Sequence, residues 1–329
     1  MKLEMNVYQR KIIEFAREHP KVLVLSADLG SSCEIKEFQH TYPERYFSLG
    51  IAEQNMVSWA AGLAREGFRP ILHSFGVFLY RRVLDQLEMS VAYPNLPVIF
   101  VGFLPGIMTP GGVTHQAIDD VAALRSVPNM TILDVGDATD IESVLDVAYA
   151  VNGPVFIRML RKEVPRLFQE DEPMRLNSGR LLSDGDDVAV FTSDICTEEA
   201  LRAVTVMRKR GVAVRHVHIS TLKPFTDSLV LESLKKARYG AVSVENHLTV
   251  GGLGSALSEM ITDNGLNCRL LRVGLRDTFT HGASKMYLMK KYGIDAAALI
   301  SAVEELLGRS LGIDEAELEE MRYEDYSAV

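Results

Sequence analysis

Ser48-Leu-Gly-Ile-Ala-Glu-Gln-Asn-Met56 carries an apolar extended segment, Tyr46 to Ile51, straight into a helix and sets an acidic residue, Glu53, at the junction. The helix predicted from Gln54 to Arg65 presents Met56, Val57, Ala60, Ala61 and Ala64 on one face. A carboxyl at such a junction has two readings. It is a first-turn glutamate favoured by the helix dipole, or a carboxylic acid shielded from water and offered to a heterocyclic nitrogen.

The strand-into-helix unit repeats along the chain. Val22–Ser26, Tyr46–Leu49, Pro70–Phe75, Pro97–Phe103, Met130–Val135 and Val155–Leu160 read as strands, with helices predicted over Asn6–Glu18, Phe78–Ala92 and Ile141–Val151 between several of them. Near-continuous apolar runs such as Val98-Ile-Phe-Val-Gly102 suit a sheet covered on both faces, so the class is α/β with mostly parallel sheets. The alternation lapses in a polar, Pro- and Gly-punctuated connection, and a second α/β series begins at Val188. Its predicted helices include Glu198–Arg210, Ser228–Lys236, Leu253–Asn264, Lys285–Lys291 and Ala296–Leu307. The expected organisation is a first domain over 1–165, a linker over 166–186, a second domain over 187–310 and a loosely packed acidic tail over 311–329.

With 329 residues the chain has room for two such domains, and 47% hydrophobic and 24% charged residues describe an ordinary globular core. The net charge of −9 and the lack of a long cationic run argue against a nucleic-acid partner. Met1-Lys-Leu-Glu-Met-Asn6 has no leader-like apolar region, and no stretch has the length of a membrane span. Cys33, Cys196 and Cys268 are too scattered for a disulfide framework or a metal site. The expected compartment is the cytoplasm.

Two further segments bear chemistry. In Ser74-Phe-Gly-Val-Phe-Leu-Tyr80, Phe75 and Phe78 are spaced to share one side of a starting helix, either clamping a flat ring or filling the core. Pro105-Gly-Ile-Met-Thr-Pro-Gly-Gly-Val-Thr-His-Gln116 follows a strand at the carboxyl end of the sheet, where open α/β proteins place ligands. His115 in that Gly-rich loop can bond a substrate oxygen or move a proton.

Taken in order, Asp28-Leu-Gly-Ser-Ser32, Gly50-Ile-Ala-Glu53-Gln, Phe75-x-x-Phe78 and Gly-x-Thr-His115-Gln116 resemble the pyrimidine-binding domain of transketolases. Val242-Ser-Val-Glu-Asn-His-Leu-Thr-Val-Gly-Gly-Leu-Gly-Ser-Ala256 is similar to the transketolase C-terminal domain, and the resemblance runs from about Asn6 to Leu307. It implies a thiamine diphosphate enzyme that moves a two-carbon ketol unit from a ketose to an aldehyde. By that resemblance Glu53 bonds N1′ of the aminopyrimidine and promotes the imino tautomer that removes the C2 proton. Phe75, Phe78, Asp28, Leu29 and Ile51 lie about the cofactor. His115 contacts donor oxygens, and Ser32 and Arg161 hold the substrate phosphate, with Arg158 as the alternative to Arg161.

Departures from the pattern point to an altered donor. Gly111 stands where pentose-phosphate transketolases carry an aspartate, Phe103 where they carry a further histidine, and Arg81 near the third pocket aromatic. No segment has the pattern that binds Mg²⁺ and diphosphate; Asp184-Gly-Asp-Asp187 runs directly into a strand and reads as a polar turn. The resemblance therefore implies the smaller subunit of a split transketolase. Mg²⁺ and the diphosphate would be held by a separately encoded large subunit in an α2β2 heterotetramer acting on small sugars. The alternatives are a 2-oxoacid dehydrogenase β subunit, a deoxyxylulose-phosphate-synthase-like enzyme, and a non-catalytic regulatory subunit.

Overall fold

The computed structural model describes residues 2–320. A seven-stranded sheet runs in the order Thr221–Lys223, Thr131–Asp134, Val155–Met159, Ile99–Phe103, Arg69–Phe75, Val22–Ser26 and Tyr46–Ser48. Every neighbouring pair is parallel except the first. Successive side chains of a strand point to opposite faces, and both faces are apolar. Val22 and Val24 pack with Ile12 and Phe15 of the helix Val7–Glu18, whereas Leu23 and Leu25 pack with Met56, Val57 and Ala60 of the helix Glu53–Arg65. This is why the central strands read as unbroken hydrophobic runs.

A second sheet of five strands runs Leu270–Leu275, Gly240–Leu248, Val188–Thr192, Val214–His218 and Arg180–Ser183, the last antiparallel. It too is covered on both sides. Val188 and Val190 pack with the helices Cys196–Lys209 and Ala296–Leu307, while Ala189 and Phe191 pack with Ser228–Lys236 and Leu253–Asp263.

The expected pattern differs in four places. The polar connection is not irregular throughout: Glu163–Arg166 pairs with Lys2–Met5, and Arg180–Ser183 closes the second sheet. Thr221–Lys223, from the second half of the chain, is an edge strand of the first sheet. The single helix predicted over Phe78–Ala92 is instead a 3₁₀ turn at Gly76–Phe78, a short helix at Leu84–Gln86 and a wide π turn at Leu87–Ala92. The acidic tail forms a helix at Glu315–Glu320, with Leu318 buried. Arg202 donates to the Leu318 carbonyl (2.9 Å) and Arg210 pairs with Glu317 (2.7 Å), so cations of the Cys196–Lys209 helix and of its C-cap draw it in. The rest of the tail, 321–329, lies outside the described residues.

The two halves meet across buried charge. Arg158, on Val155–Met159, is 1% exposed and pairs with Asp120 (2.9 Å) and Asp134 (2.8 Å), and its third nitrogen donates to the Asn246 carbonyl (3.0 Å). Asp194 and His247 of the second half complete the cluster, 4.0 Å from Arg158 and 3.9 Å from Asp120. One guanidinium faces three carboxylates here. Burial, reinforced by the Asp194 charge, pushes the Asp134 carboxyl up to about 7 despite Arg158.

The folded state thus holds this proton more tightly than the unfolded chain does, and stability falls as pH rises from about 4 to 7. Buried His73 and His216, both lowered to about 3 by desolvation, give an opposite slope between about 3 and 6.5. Comparing variant with parent isolates the proton that Asp134 shares with the coupled Asp194 carboxyl from the histidine contributions. Between pH 5 and pH 8, Asp134→Asn is expected to gain about 2 kcal/mol of stability relative to the parent. Urea midpoints at the two pH values check this; parallel pH dependences would refute it.

Candidate active site

The junction quoted above is built as a strand, a turn and a helix. Tyr46–Ser48 ends, Gly50 turns with φ +71°, and Glu53 becomes the first residue of the helix Glu53–Arg65. Glu53 is 3% exposed although it is an acidic residue that opens a helix. A purely dipolar role would leave such a side chain at the surface. Its carboxylate lies 3.3–3.5 Å from one nitrogen of Arg82, whose side chain remains 46% exposed and covers it from the solvent side. The Arg82 guanidinium also sits 4.1 Å above the Phe78 ring, so one cation links the carboxylate to the aromatic pair.

Phe75 and Phe78 are not on one helix, as expected from their spacing. Phe75 ends the strand Arg69–Phe75, and Phe78 belongs to the 3₁₀ turn that follows. Gly76, a poor α-helix former, lies so close to Ala117 and the Phe103 carbonyl that a Cβ there would be 3.3 Å from the Ala117 methyl. The rings still meet, 5.9 Å apart and inclined by 33°. His115 presents its edge to both, at 5.9 Å and 5.5 Å. Its Nδ1 is engaged by the Thr114 hydroxyl (2.8 Å), which fixes the ring's orientation about that bond.

Arg161 lies 5.6 Å over Phe75 and donates to the Ser32 carbonyl (2.7 Å), bringing the Asp28–Ser32 loop to the same aromatic pair. Leu29 is half-buried against the core, and its N–H reaches Ser26 Oγ at 3.2 Å. Asp28 is exposed with a left-handed backbone, φ +60°. Ile51 is 77% exposed, outside the cluster formed by the other side chains. Arg158 is engaged by buried aspartates and does not face this cluster. Arg81 is held by Asp119 (2.6 Å), which Tyr80 also bonds.

Two residues, Arg82 and Thr280, were not singled out from sequence, and Gln116 was quoted only as the end of a motif. Arg82 follows Phe78 by four positions, a helical spacing that offered a signal. Gln116 is fully buried beneath the His115 loop, and Thr280 donates to its side-chain oxygen from 164 positions away. Nothing local in the sequence announces that contact. In Asp184–Asp187, the N–H of Ala213 donates to Asp187 (2.8 Å) and Arg215 pairs with Asp184, which makes this a turn between strands. Among the described residues, no group of three or more His, Cys, Asp or Glu is placed to hold a metal ion, and no helix is long and apolar enough to cross a membrane.

The profile of the transketolase pyrimidine-binding domain matches residues 5–166, and that of the transketolase C-terminal domain matches 177–299. A 6-deoxy-6-sulfo-D-fructose transketolase subunit from Clostridium sp. (strain MSTE9) is 36% identical over 307 residues, covering 92% of this chain and 94% of that protein. A 1-deoxy-D-xylulose-5-phosphate synthase from Geobacter sulfurreducens is 32% identical over 92% of this chain, which spans only 47% of the synthase. Among solved structures, a split gene transketolase described as an inactive β4 tetramer superposes with a TM-score of 0.84 at 35% identity, covering 92% of this chain and 97% of that one. Matched in domain order and over nearly its whole length, the chain belongs to the transketolase family.

Proposed function

We propose that the chain is the smaller subunit of a two-subunit, thiamine diphosphate-dependent transketolase, assembled as two copies of each subunit around a two-fold axis. The observation that carries this reading is Glu53, buried at a helix start and joined through Arg82 to Phe78, with Phe75 and His115 packed beside it. These residues fit the pyrimidine end of the cofactor. The two phenyl faces offer a stacking surface for a flat ring, and Glu53 offers a water-shielded carboxyl to a ring nitrogen. When bound, thiamine diphosphate supplies the carbon nucleophile that breaks and makes carbon–carbon bonds beside a carbonyl.

The chain's own contribution is local. Glu53 bonds the pyrimidine nitrogen and exchanges a proton with it, and for this Arg82 swings off the carboxylate. Phe75 and Phe78 fix the ring plane and exclude water. His115, its Nδ1 tied to Thr114, aims its other nitrogen at a donor oxygen. Arg161 and Ser32 stand where the anionic end of a ketose would lie. The Clostridium relative, by its name, acts on a sugar bearing a sulfonate. A phosphate or a sulfonate satisfies the same guanidinium, and Gly111 in place of an acid widens the choice of donor.

The likeness to 1-deoxy-D-xylulose-5-phosphate synthases keeps a second reading in view, in which pyruvate is the donor. With a large subunit carrying the diphosphate-binding domain, ketose phosphates, 6-deoxy-6-sulfofructose and pyruvate are each offered with an aldehyde acceptor. Mass spectrometry is expected to find acceptors lengthened by two carbons, with the donor shortened by two. Release of CO₂ from pyruvate with formation of a deoxyketose would overturn the transketolase reading.

A further inference from the structure

The loop that carries His115 belongs to the first domain, yet the second domain holds it at both ends. At its start, the Asn246 side chain accepts from the Ile107 N–H (2.9 Å) and donates to the Pro105 carbonyl (3.1 Å). Asn246 is itself fixed by Asp194 (2.7 Å), and a Cβ on Gly106 would collide with its amide, so the backbones meet without slack. At the other end stands Gln116, next to His115 and fully buried. Its oxygen accepts from the Thr280 hydroxyl, and its nitrogen donates to the His281 carbonyl (3.3 Å) and the Thr109 carbonyl (3.4 Å). Gly282 presses on the same loop: a Cβ there would lie 2.6 Å from the Pro110 carbonyl oxygen.

We propose that the second domain works in the site through this clasp, with Thr280 and Gln116 as positioning residues that seat His115 against Phe75 and Phe78. The inference rests on the reading of His115 given above. A loop rich in glycine, from Gly106 through Gly111 and Gly112, has little intrinsic preference for one conformation. Two buried polar anchors in the second domain, Asn246 on the strand Gly240–Leu248 and Thr280 in the loop that follows Leu270–Leu275, supply what the loop lacks. Loss of the Thr280 hydroxyl leaves the Gln116 oxygen buried with no donor from the second domain, which favours a loop that pulls away toward water. A displacement of about 1 Å at a group that contacts substrate is enough to cost about 10²-fold in rate.

The test uses the full chain, alone and with its large subunit. In Thr280→Val, ¹⁵N relaxation of the amides of Val113, Thr114 and His115 is expected to report new exchange, and the His115 ring nitrogens to shift. Turnover falls about 10- to 100-fold with little change in cofactor affinity. Thr280→Ser, which keeps the hydroxyl, restores all of these. If Thr280→Val does not fold, Gly282→Ala forces the same loops apart through its Cβ and is expected to give the same signature.

Unchanged loop relaxation and His115 resonances in the folded variant overturn the clasp, whatever happens to turnover. If instead His115→Asn leaves transfer intact while Thr280→Val loosens the loop, the role given to His115 fails and the clasp stands.

Discussion

Glu53→Gln in the assembled enzyme is expected to lower ketol transfer by about 10³-fold while leaving the subunits associated. Glutamine keeps the size of the side chain and its hydrogen-bonding reach, but it cannot take up or release a proton at the ring nitrogen. The position tolerates the change structurally. Glu53 opens its helix with no side-chain capping bond, and its ion pair with Arg82 reaches out to a half-exposed guanidinium. Glutamine still offers Arg82 an acceptor, and that guanidinium is already half in solvent, so no buried charge is left unpaired and folding and assembly lose little. Two measurements separate chemistry from architecture: turnover with saturating cofactor, and hydrogen–deuterium exchange at cofactor C2. Sedimentation shows whether assembly survives. Normal C2 exchange in the variant would strip Glu53 of its role.

Legibility of the sequence followed how local the determinants were. Ser228–Lys236 and Ala296–Leu307 could be bounded to the residue, because Asp227 and Asp295 cap them by accepting from Leu229 and Ala298, and Gly308 ends the second with φ +65°. The buried strands declared themselves as apolar runs. Phe78–Ala92 misled because its apolar spacing suits a helix, while packing against the sheet imposes a sequence of tighter and wider turns. Thr221–Lys223 was missed since three residues hold too little pattern, and its pairing partner lies some 90 positions earlier. In the candidate site, Glu53, Phe75, Phe78 and His115 were picked out because short motifs carry them, and the structure gathers the two phenylalanines and His115 into one cluster. Arg82 and Thr280 lie outside those motifs, and the bonds that hold Gln116 to Thr280 and His281 are tertiary contacts that the motif naming it does not record.

Without a large subunit, the chain is expected to show no ketol transfer above background and to bind thiamine diphosphate about 10³-fold more weakly than the complex. In the proposed arrangement, Glu53, Phe75 and Phe78 meet only the flat, nearly neutral end of the cofactor. Its diphosphate needs cations, and charge-assisted hydrogen bonds contribute about 1.5–3 kcal/mol each. Two such contacts supplied by a partner account for the affinity difference. Addition of the partner should restore both binding and turnover, with titration ending at one partner chain per chain. Isothermal titration with thiamine diphosphate and Mg²⁺, run on the chain before and after partner addition, makes the comparison directly. Full turnover from the isolated chain would place the diphosphate site on this polypeptide and end the two-subunit reading.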